Sequence, residues 1–372
     1  MYGRLAGVPL IALALLLAAS QAHAALAQAW PPFVLVTGLL LIGLVAGRDG
    51  LFEAAASRLV RLPGSPTLLL LACLALVCGV TALLNLDTAA VFLTPVLLEV
   101  GRRRGLQAAP FLYGAVFMAN SSSLFLPGSN LTNLLVLSDG RVTGASFFVG
   151  MLPFALAAPA LTAAGLVLIH RRALSVAVAP VAGRRSALRF GASLWAALLA
   201  AALIVLLRNA ALPVLAVGLA LAAWRARGGQ LAWREALAWL GLPALASLFG
   251  LAVALGTLAR ASSFPAELLR SADAPTTTAV AALASVALNN LPAAVLLSAG
   301  RRAHVGALLL GLNVGPNLAV SGSLAVLLWW RAARAAGVRP SALAYARQGL
   351  LLAPVAIAAS LAIGAGVRSP YA

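Results

Sequence analysis

The amino-acid sequence predicts an all-α membrane protein that crosses the bilayer many times. Of its 372 residues, 63% are hydrophobic and 9% are charged, and the mean hydropathy is +1.02. A soluble domain carries about 25% charged residues. Apolar runs close to the roughly 20 residues that span a bilayer recur along the whole chain. The length fits one such membrane domain and leaves no room for a large soluble module.

The basic residues support this class and argue against nucleic-acid binding. All 26 are arginines, and the formal net charge is +18. They lie in short segments between apolar runs, where the positive-inside bias of membrane proteins puts them. The expected partners are therefore the lipid bilayer and a small solute, with no nucleic acid.

The N-terminal segment allows two interpretations. Residues 1–24 have a charged start, an apolar stretch and an Ala22-His23-Ala24 sequence that resembles a signal-peptidase site. The alternative, which we favour, is a retained first helix from Val8 to Ala27. We assign residues 1–30 to this N-terminal helix or signal-like segment.

Two of the later apolar stretches, 67–100 and 274–300, are predicted to be helical hairpins. Further apolar runs lie near 31–47, 108–137, 145–169, 193–207, 211–224, 237–259, 303–330 and 347–367. Arginines flank the first stretch on both sides: Arg48, Arg58 and Arg61 before it, and Arg102, Arg103 and Arg104 after it. If all six face the cytoplasm, this stretch enters and leaves on one side. Arg260 and Arg270 precede the second stretch, and Arg301 and Arg302 follow it.

The arginine positions also predict an orientation. Following the chain through both hairpins puts 19 arginines inside and 7 outside. The N-terminus is then cytoplasmic if the first helix is retained, and the C-terminus is outside. The expected location is the inner (plasma) membrane. Trp329 and Trp330, which precede Arg331, are typical of an aromatic belt at the membrane interface.

The two hairpins belong to an internal repeat. Residues 85–91, NLDTAAV, align with residues 289–295, NNLPAAV, at an offset of 204 positions. At an offset of 193, Gly128-Ser129-Asn130 aligns with Ser321-Gly322-Ser323. Opposed hairpins and interrupted helices predict inverted repeats, each with a re-entrant hairpin and a broken transmembrane helix. We assign residues 31–170 to the first repeat, 171–236 to an Arg-rich linker with connecting helices, and 237–372 to the second repeat.

The interrupted helices are candidate binding elements. Pro and Gly break the backbone ladder of a helix. The freed carbonyl and N–H groups are tolerated at membrane depth only where they line a site or are buried in protein. Asn, Ser and Thr side chains near these breaks supply both donors and acceptors.

Asp87 is the acidic residue that lies deepest between apolar arms. An ionised carboxylate in that position costs several kcal/mol unless it is paired or hydrated, so an intramembrane Asp is a functional candidate. We expect it to carry a proton or to bind a cation. The structural alternative is that Asp87 only caps the second arm of the first hairpin.

Three segments resemble the arsenite/antimonite efflux permease family of the ion transporter superfamily: LNLDTAAVFLTPV, ANSSSLFLPGSNLTNLL and GLNVGPNLAVSGSLAVLLWW. Its relatives include antiporters of the NhaD type and sodium-coupled citrate and dicarboxylate carriers. The resemblance implies that hairpin tips and helix breaks form the site, and that the protein assembles as a homodimer. The implied binding residues are Asn85, Thr88, Asn120, Gly128, Ser129, Asn130, Asn289, Asn290, Pro292, Asn313, Gly315, Gly322 and Ser323, with Asp87 for proton or ion coupling.

A secondary transporter is therefore the predicted function, with proton-coupled efflux of arsenite or antimonite as the first hypothesis. Arsenite at neutral pH is largely uncharged As(OH)3, which amides and hydroxyls suffice to bind. The alternatives are a sodium-coupled citrate or dicarboxylate permease and a sodium/proton antiporter with a sodium site at the hairpin tips. No cofactor or other metal is expected beyond the coupling ion. An intramembrane enzyme is disfavoured, because the sequence has no Lys for a Ser–Lys dyad and no paired aspartates.

Overall fold

The computed structural model describes residues 7–138, 142–176, 191–262, 264–299 and 304–366. All regular structure in these ranges is helical, and five helical segments are long and apolar enough to cross a membrane. These are Ala19–Arg48, Pro66–Leu83, Gly144–Ile169, Trp233–Ala261 and Ala342–Gly366. The predicted class, an all-α multi-pass membrane protein, is confirmed.

The first half of the chain contains ten helices within the described ranges. They are α1 (Gly7–Leu17), α2 (Ala19–Arg48), α3 (Leu51–Leu59), α4 (Pro66–Leu83), α5 (Leu86–Thr88), α6 (Thr94–Arg103), α7 (Ala108–Ser121), α8 (Leu131–Val136), α9 (Gly144–Ile169) and α10 (Arg171–Leu174). A π-helical turn, Ala89–Leu93, joins α5 to α6, and a 3-10 turn, Pro127–Ser129, precedes α8.

The rest of the described chain forms ten more helices. They are α11 (Ala192–Leu206), α12 (Ala211–Arg227), α13 (Trp233–Leu240), α14 (Leu242–Ala261), α15 (Phe264–Arg270), α16 (Ala274–Leu288), α17 (Asn290–Leu297), α18 (Val305–Val314), α19 (Leu324–Ala335) and α20 (Ala342–Gly366). A 3-10 turn, Gly315–Leu318, follows α18.

The N-terminal helices differ from the expected pair at 8–27 and 31–47. The interruption falls at Ala18, whose φ of −156° is not helical, and α2 then continues to Arg48 with Pro31 and Pro32 inside it. The expected boundary at residue 30 therefore lies within a helix. Each proline removes one backbone hydrogen bond. Extensive packing of α2 against its neighbours offsets that cost, as its many buried residues indicate.

Residues 66–103 form the first hairpin, as predicted. Its two ends are held together at the base, where buried Arg104 donates from Nη1 to the carbonyl oxygens of Val60 (2.8 Å) and Leu62 (3.0 Å). Ser65 caps the first arm, α4, by accepting a hydrogen bond from the N–H of Leu68. The chain reverses at Leu84 and Asn85.

The second hairpin is formed by α16 and α17, and its base also brings the two flanking segments together. Asp273 caps α16 by accepting from the N–H of Thr276. Hydrogen bonds from Thr276, and to a smaller extent the nearby charge of His304, hold the pKa of Asp273 below its ordinary value. Residues 273 and 304 thus lie close to each other on either side of the hairpin.

The two hairpin bases adjoin opposite ends of α2. The first lies beside α3, directly after Arg48. The second lies near Gln28, whose Nε2 donates to Ser298 Oγ after α17 (3.3 Å) and to the Leu135 carbonyl in α8 (3.0 Å). Residues 28 and 48 are about 30 Å apart along a helix. The inverted repeat and the membrane orientation remain predictions, since Arg4, Asp139, Arg141, Arg184, Arg185, Arg189, Arg301, Arg302 and Arg368 lie outside the described residues.

Close helix crossings fix α1 and α2 against the later half of the chain. A Cβ atom at Gly218 would lie 2.5 Å from the carbonyl oxygen of Gly38, and one at Gly250 would lie 2.3 Å from Cα of Gly7. These contacts bring α2 against α12 and α1 against α14. Only glycine lets the two backbones approach so closely.

The aromatic-belt prediction is wrong for Trp329. Its side chain is fully buried, and its Nε1 donates to the carbonyl of Leu112 at 2.8 Å. The ring packs against Tyr113 and Tyr345 with centroid distances of 5.8 and 5.6 Å. The Trp–Trp–Arg sequence matches a belt, but α19 packs against α7 and α20, so this ring faces protein.

Candidate functional site

The helix interruptions in the two halves meet in the centre of the molecule. We call residues 84–88 the first tip, 122–130 the first break, 288–292 the second tip and 315–323 the second break. Side-chain hydrogen bonds join the two breaks and the helix ends beside them, from Asn120 to Asn317 and from Asn130 to Asn313. The first break bonds to the end of α4, just before the first tip, and the second tip bonds directly to the second break. The structure therefore brings most of the predicted site residues together.

Asn313, at the end of α18, is the most connected side chain in this region. Its Oδ1 accepts from Ser123 Oγ and from Asn130 Nδ2 (2.6 Å). Its Nδ2 donates to Asn133 Oδ1 and to the Leu309 carbonyl, both at 2.8 Å. All four hydrogen-bonding positions of this buried amide are thus occupied by the protein itself.

A second set of hydrogen bonds surrounds Asn120 and Asn317. Asn120 Nδ2 donates to Asn317 Oδ1 at 2.9 Å, and Ser323 Oγ donates to Asn120 Oδ1 at 3.4 Å. Asn317 Nδ2 donates to Ser121 Oγ (3.1 Å), which in turn pairs with Thr162 of α9. These buried amides connect the first break to the second.

The breaks also end in equivalent caps. Asn130 Oδ1 accepts from the N–H of Thr132 at the start of α8, and Ser323 Oγ accepts from the N–H of Val326 at the start of α19. Ser129 Oγ donates to the carbonyl of Ala82 at 3.3 Å, which ties the first break to the first arm. The alignment at an offset of 193 positions had paired Asn130 with Ser323.

The first tip has polar groups without partners. Asn85 caps the second arm, with its Oδ1 accepting from the Thr88 N–H at 2.7 Å. Within the described chain, three buried atoms here lack a hydrogen-bond partner: Asn85 Nδ2, Thr88 Oγ1 and Thr81 Oγ1 on the last turn of α4. The hydrogen-bonding groups of the first tip are therefore incompletely satisfied by the described residues.

Asp87 lies on the first turn after this cap and is half-buried. No described residue makes a hydrogen bond or ion pair with its carboxylate. The alternative in which Asp87 caps the second arm is wrong, because Asn85 does so. The carboxylate is left available for a proton, an ion or a solute.

The second tip is bonded to the second break. Asn289 caps α17 through the N–H of Leu291 (3.4 Å), and its Nδ2 donates to the carbonyl of Ser321 at 3.0 Å. The N–H of Asn290 donates to the Gly322 carbonyl at 2.8 Å. Asn289 has a φ of +82° and is the one non-glycine residue with positive φ in the described ranges.

The three glycines predicted to be binding residues pack closely against other parts of the protein. A Cβ atom would lie 2.7 Å from Ile204 Cδ1 at Gly128, 2.6 Å from Ala282 Cα at Gly315 and 2.5 Å from Pro316 Cα at Gly322. They let neighbouring elements approach closely, and Pro292 lies half-buried in the first turns of α17.

Sequence reasoning missed four of the bonded side chains as site residues: Ser121, Ser123, Asn133 and Asn317. A signal was present, since Asn130 and Asn133, like Asn313 and Asn317, are spaced three or four residues apart near a break. Such spacing places side chains on one helical face.

The hydrogen-bonded region around the two breaks is polar but uncharged. The hydrogen-bonded side chains around the breaks are amides and hydroxyls, and no described arginine or histidine bonds to them. A search of the described residues for three or more clustered His, Cys, Asp or Glu side chains finds no metal site. The arrangement suits a solute that needs hydrogen bonds more than a fixed positive charge.

Comparison with solved structures supports the fold. In solved structures, the chain is similar to the YdaH transporter of Alcanivorax borkumensis, with a TM-score of 0.56, 15% sequence identity, and 90% of this chain and 84% of that chain covered. This likeness shows the fold.

Two kinds of curated relative match over shorter stretches. A silicon efflux transporter of rice, LSI3, is 39% identical over 85 residues, covering 22% of this chain and 18% of that protein. An uncharacterized transporter of Mycobacterium tuberculosis is 29% identical over 125 residues, covering 33% and 29%. The matched part thus spans less than a third of either relative.

The model of one protein family, described as citrate transporter, matches residues 4–320, which is most of the chain. The match includes both hairpins, the whole first break and residues 315–320 of the second break. It identifies a transporter and not an enzyme: the chain belongs to the citrate transporter family.

Proposed function

We propose that this protein exports an uncharged, hydroxylated solute, with arsenite or antimonite as the first candidates, in exchange for protons. The observation that carries the proposal is the first tip, where amide and hydroxyl groups and the Asp87 carboxylate have no partner among the described residues. Neutral donors and acceptors match the hydroxyl groups of As(OH)3, and Asp87 supplies a charge that a proton can neutralise.

The rice relative supports a neutral solute. It is a silicon efflux transporter, and dissolved silicon at neutral pH is mainly the uncharged hydroxide Si(OH)4. Both hydroxides present O–H donors and oxygen acceptors without a net charge. A site of amides and hydroxyls can bind such molecules without an arginine.

The proton cycle follows from the position of Asp87. A proton that enters from outside neutralises the carboxylate, and its release to the more alkaline cytoplasm restores the charge. Alternating exposure of the site then moves one solute outward for each proton that moves inward. We place the protein in the inner (plasma) membrane with the arginine-rich ends of α2, α6 and α12 in the cytoplasm, and we expect a homodimer.

Sodium-coupled uptake of citrate or a dicarboxylate is the second candidate. It is favoured by the family match, whose description is citrate transporter. A carboxylate substrate would be held by the same amides and hydroxyls, with bound sodium supplying positive charge. A sodium/proton antiporter that uses Asp87 alone is the third candidate.

The test is solute transport by everted membrane vesicles that contain the wild-type chain. We expect accumulation of arsenite in these vesicles when a proton gradient is present, and its loss when an uncoupler collapses the gradient. Vesicles without the chain are the control. Arsenite accumulation equal to that control would sink the proposal; sodium-dependent citrate movement would then establish the second candidate, and sodium-induced proton movement alone would establish the third.

A further inference from the structure

The last helix, α20, contacts the second break although it lies beyond residue 320, where the family match ends. Tyr345 on this helix is fully buried, and its hydroxyl donates to the carbonyl oxygen of Pro316 at 2.9 Å. Pro316 belongs to the 3-10 turn that replaces regular α-helix in the break. A carbonyl in such a turn needs a donor, because a buried unpaired acceptor is costly.

Gly349 extends this contact by one helical turn. A Cβ atom at this position would lie 1.8 Å from the carbonyl oxygen of Asn317. Residues 345 and 349 lie on the same face of α20. Helix α20 therefore contacts two consecutive residues of the second break. It forms a hydrogen bond with Pro316 and lies directly against the backbone of Asn317.

The Tyr345 ring is held in place by other aromatic side chains. Its centroid lies 4.7 Å from that of Phe117 on α7 and 5.6 Å from that of Trp329 on α19. These two helices flank the first and second breaks. The hydroxyl is thus aimed at Pro316 by residues from both halves of the molecule.

The residue after Pro316 is Asn317, which links the breaks through Asn120 and Ser121. Fixing the Pro316 carbonyl fixes the peptide plane that leads into Asn317. We propose that Tyr345 is a positioning residue for the site: its hydroxyl holds the second break in the geometry that directs Asn317 toward the first break. This inference rests on the proposed transport function for its effect on solute affinity, but the contact itself can be tested without any solute.

The experiment compares Tyr345→Phe with Tyr113→Phe. Both substitutions remove one hydroxyl from the same aromatic cluster, but Tyr113 bonds to the backbone of Ser341, away from the breaks. Amide hydrogen exchange is measured on the full chain in lipid nanodiscs. We expect residues 315–323 to exchange about tenfold faster in Tyr345→Phe, with the wild-type rate retained in Tyr113→Phe.

Transport gives the second readout. We expect Tyr345→Phe to raise the KM for arsenite while the maximal rate stays near that of wild type, and Tyr113→Phe to leave both unchanged. Gly349→Ala should displace α20 from Asn317 and so accelerate exchange in the same segment. This variant replaces Tyr345→Phe in the test if Tyr345→Phe does not fold. Exchange in 315–323 that is equal in the Tyr345 and Tyr113 variants would overturn the inference. A wild-type chain that moves no arsenite would refute the proposed solute, and hydrogen exchange would still decide the role of Tyr345.

Discussion

The two hairpin tips occupy aligned positions but differ in how their polar groups are used. Asn85 and Asn289 both cap the second arm of their hairpin. In the first tip, the amide nitrogen of Asn85 and the hydroxyl of Thr88 have no partner in the described chain. In the second tip, the amide nitrogen of Asn289 is bonded to the second break, and its backbone has a positive φ.

From this difference we expect the two tips to have separate tasks. A tip with unsatisfied groups gains free energy when a ligand supplies the missing partners. A tip whose groups are already bonded, and whose backbone is held in a sparsely populated conformation, is braced by its surroundings. We therefore expect substitutions in the first tip to alter transport more than the equivalent substitutions in the second tip.

The largest expected effect is at Asp87. Asp87→Asn keeps the size of the side chain but removes its charge and its proton cycle, so we expect proton-driven transport to be abolished while the protein remains folded. Asp273→Asn is the matched control in the second hairpin, because Asn caps a helix about as well as Asp does. Solute counterflow and proton uptake in proteoliposomes measure both variants. Proton-coupled exchange that persists in Asp87→Asn would exclude this carboxylate as the coupling group.

A smaller effect, on stability, is expected at Asn313. Asn313→Leu leaves the side chains of Ser123, Asn130 and Asn133 without their shared partner. Buried groups that lose their partners cost roughly 1–3 kcal/mol each in soluble proteins, and less between membrane helices. We expect a total loss of about 3 kcal/mol, measured as a lower thermal midpoint in detergent. A midpoint equal to wild type would show that these amides do not brace the breaks.

The smallest expected effects are on stability, and they distinguish the caps formed by Asn85 and Asn289. In Asn289→Gly, relief of the positive φ, worth about 1 kcal/mol, offsets the lost hydrogen bond to Ser321, so stability should stay within about 0.5 kcal/mol. In Asn85→Gly, the backbone is extended at φ −167° and gains no such relief. That variant should lose about 1 kcal/mol through the weaker cap and the flexible chain. Equal losses in both variants would remove the distinction between the tips.

Local pattern in the sequence predicted the interruptions well. Aligning the halves paired Asn85 with Asn289 and Asn130 with Ser323, and each of these four residues caps the helix that follows it. Capping depends on the cap residue and the next three residues, which a short segment specifies. The hairpins were predicted from the arginines that flank them, and the polar character of the breaks from the Pro, Gly, Asn and Ser residues within them.

The features that the sequence did not reveal depend on distant packing. Asn313 bonds to residues about 180 positions away, and Trp329 is buried because α7 and α20 enclose it. Neither partner choice is encoded in the neighbouring residues. The interruption expected between residues 27 and 31 is absent for a related reason, since tertiary packing keeps α2 continuous through Pro31 and Pro32.

The π-helical turn at Ala89–Leu93 affects how the two halves compare in the number of residues between tip and cap. A π turn bonds residue i to i+5 and so takes up one residue more than an α turn. The first half has 45 positions between its tip asparagine and the cap at Asn130, whereas the second half has 34 between Asn289 and Ser323. The π turn accounts for one residue of this difference in length, and in it Phe92 packs between Phe52 and Trp239. Deleting one residue there would rotate the preceding Asp87 by about 100° relative to α6, so the register of this turn, together with the residues of the tip, sets the direction in which Asp87 faces.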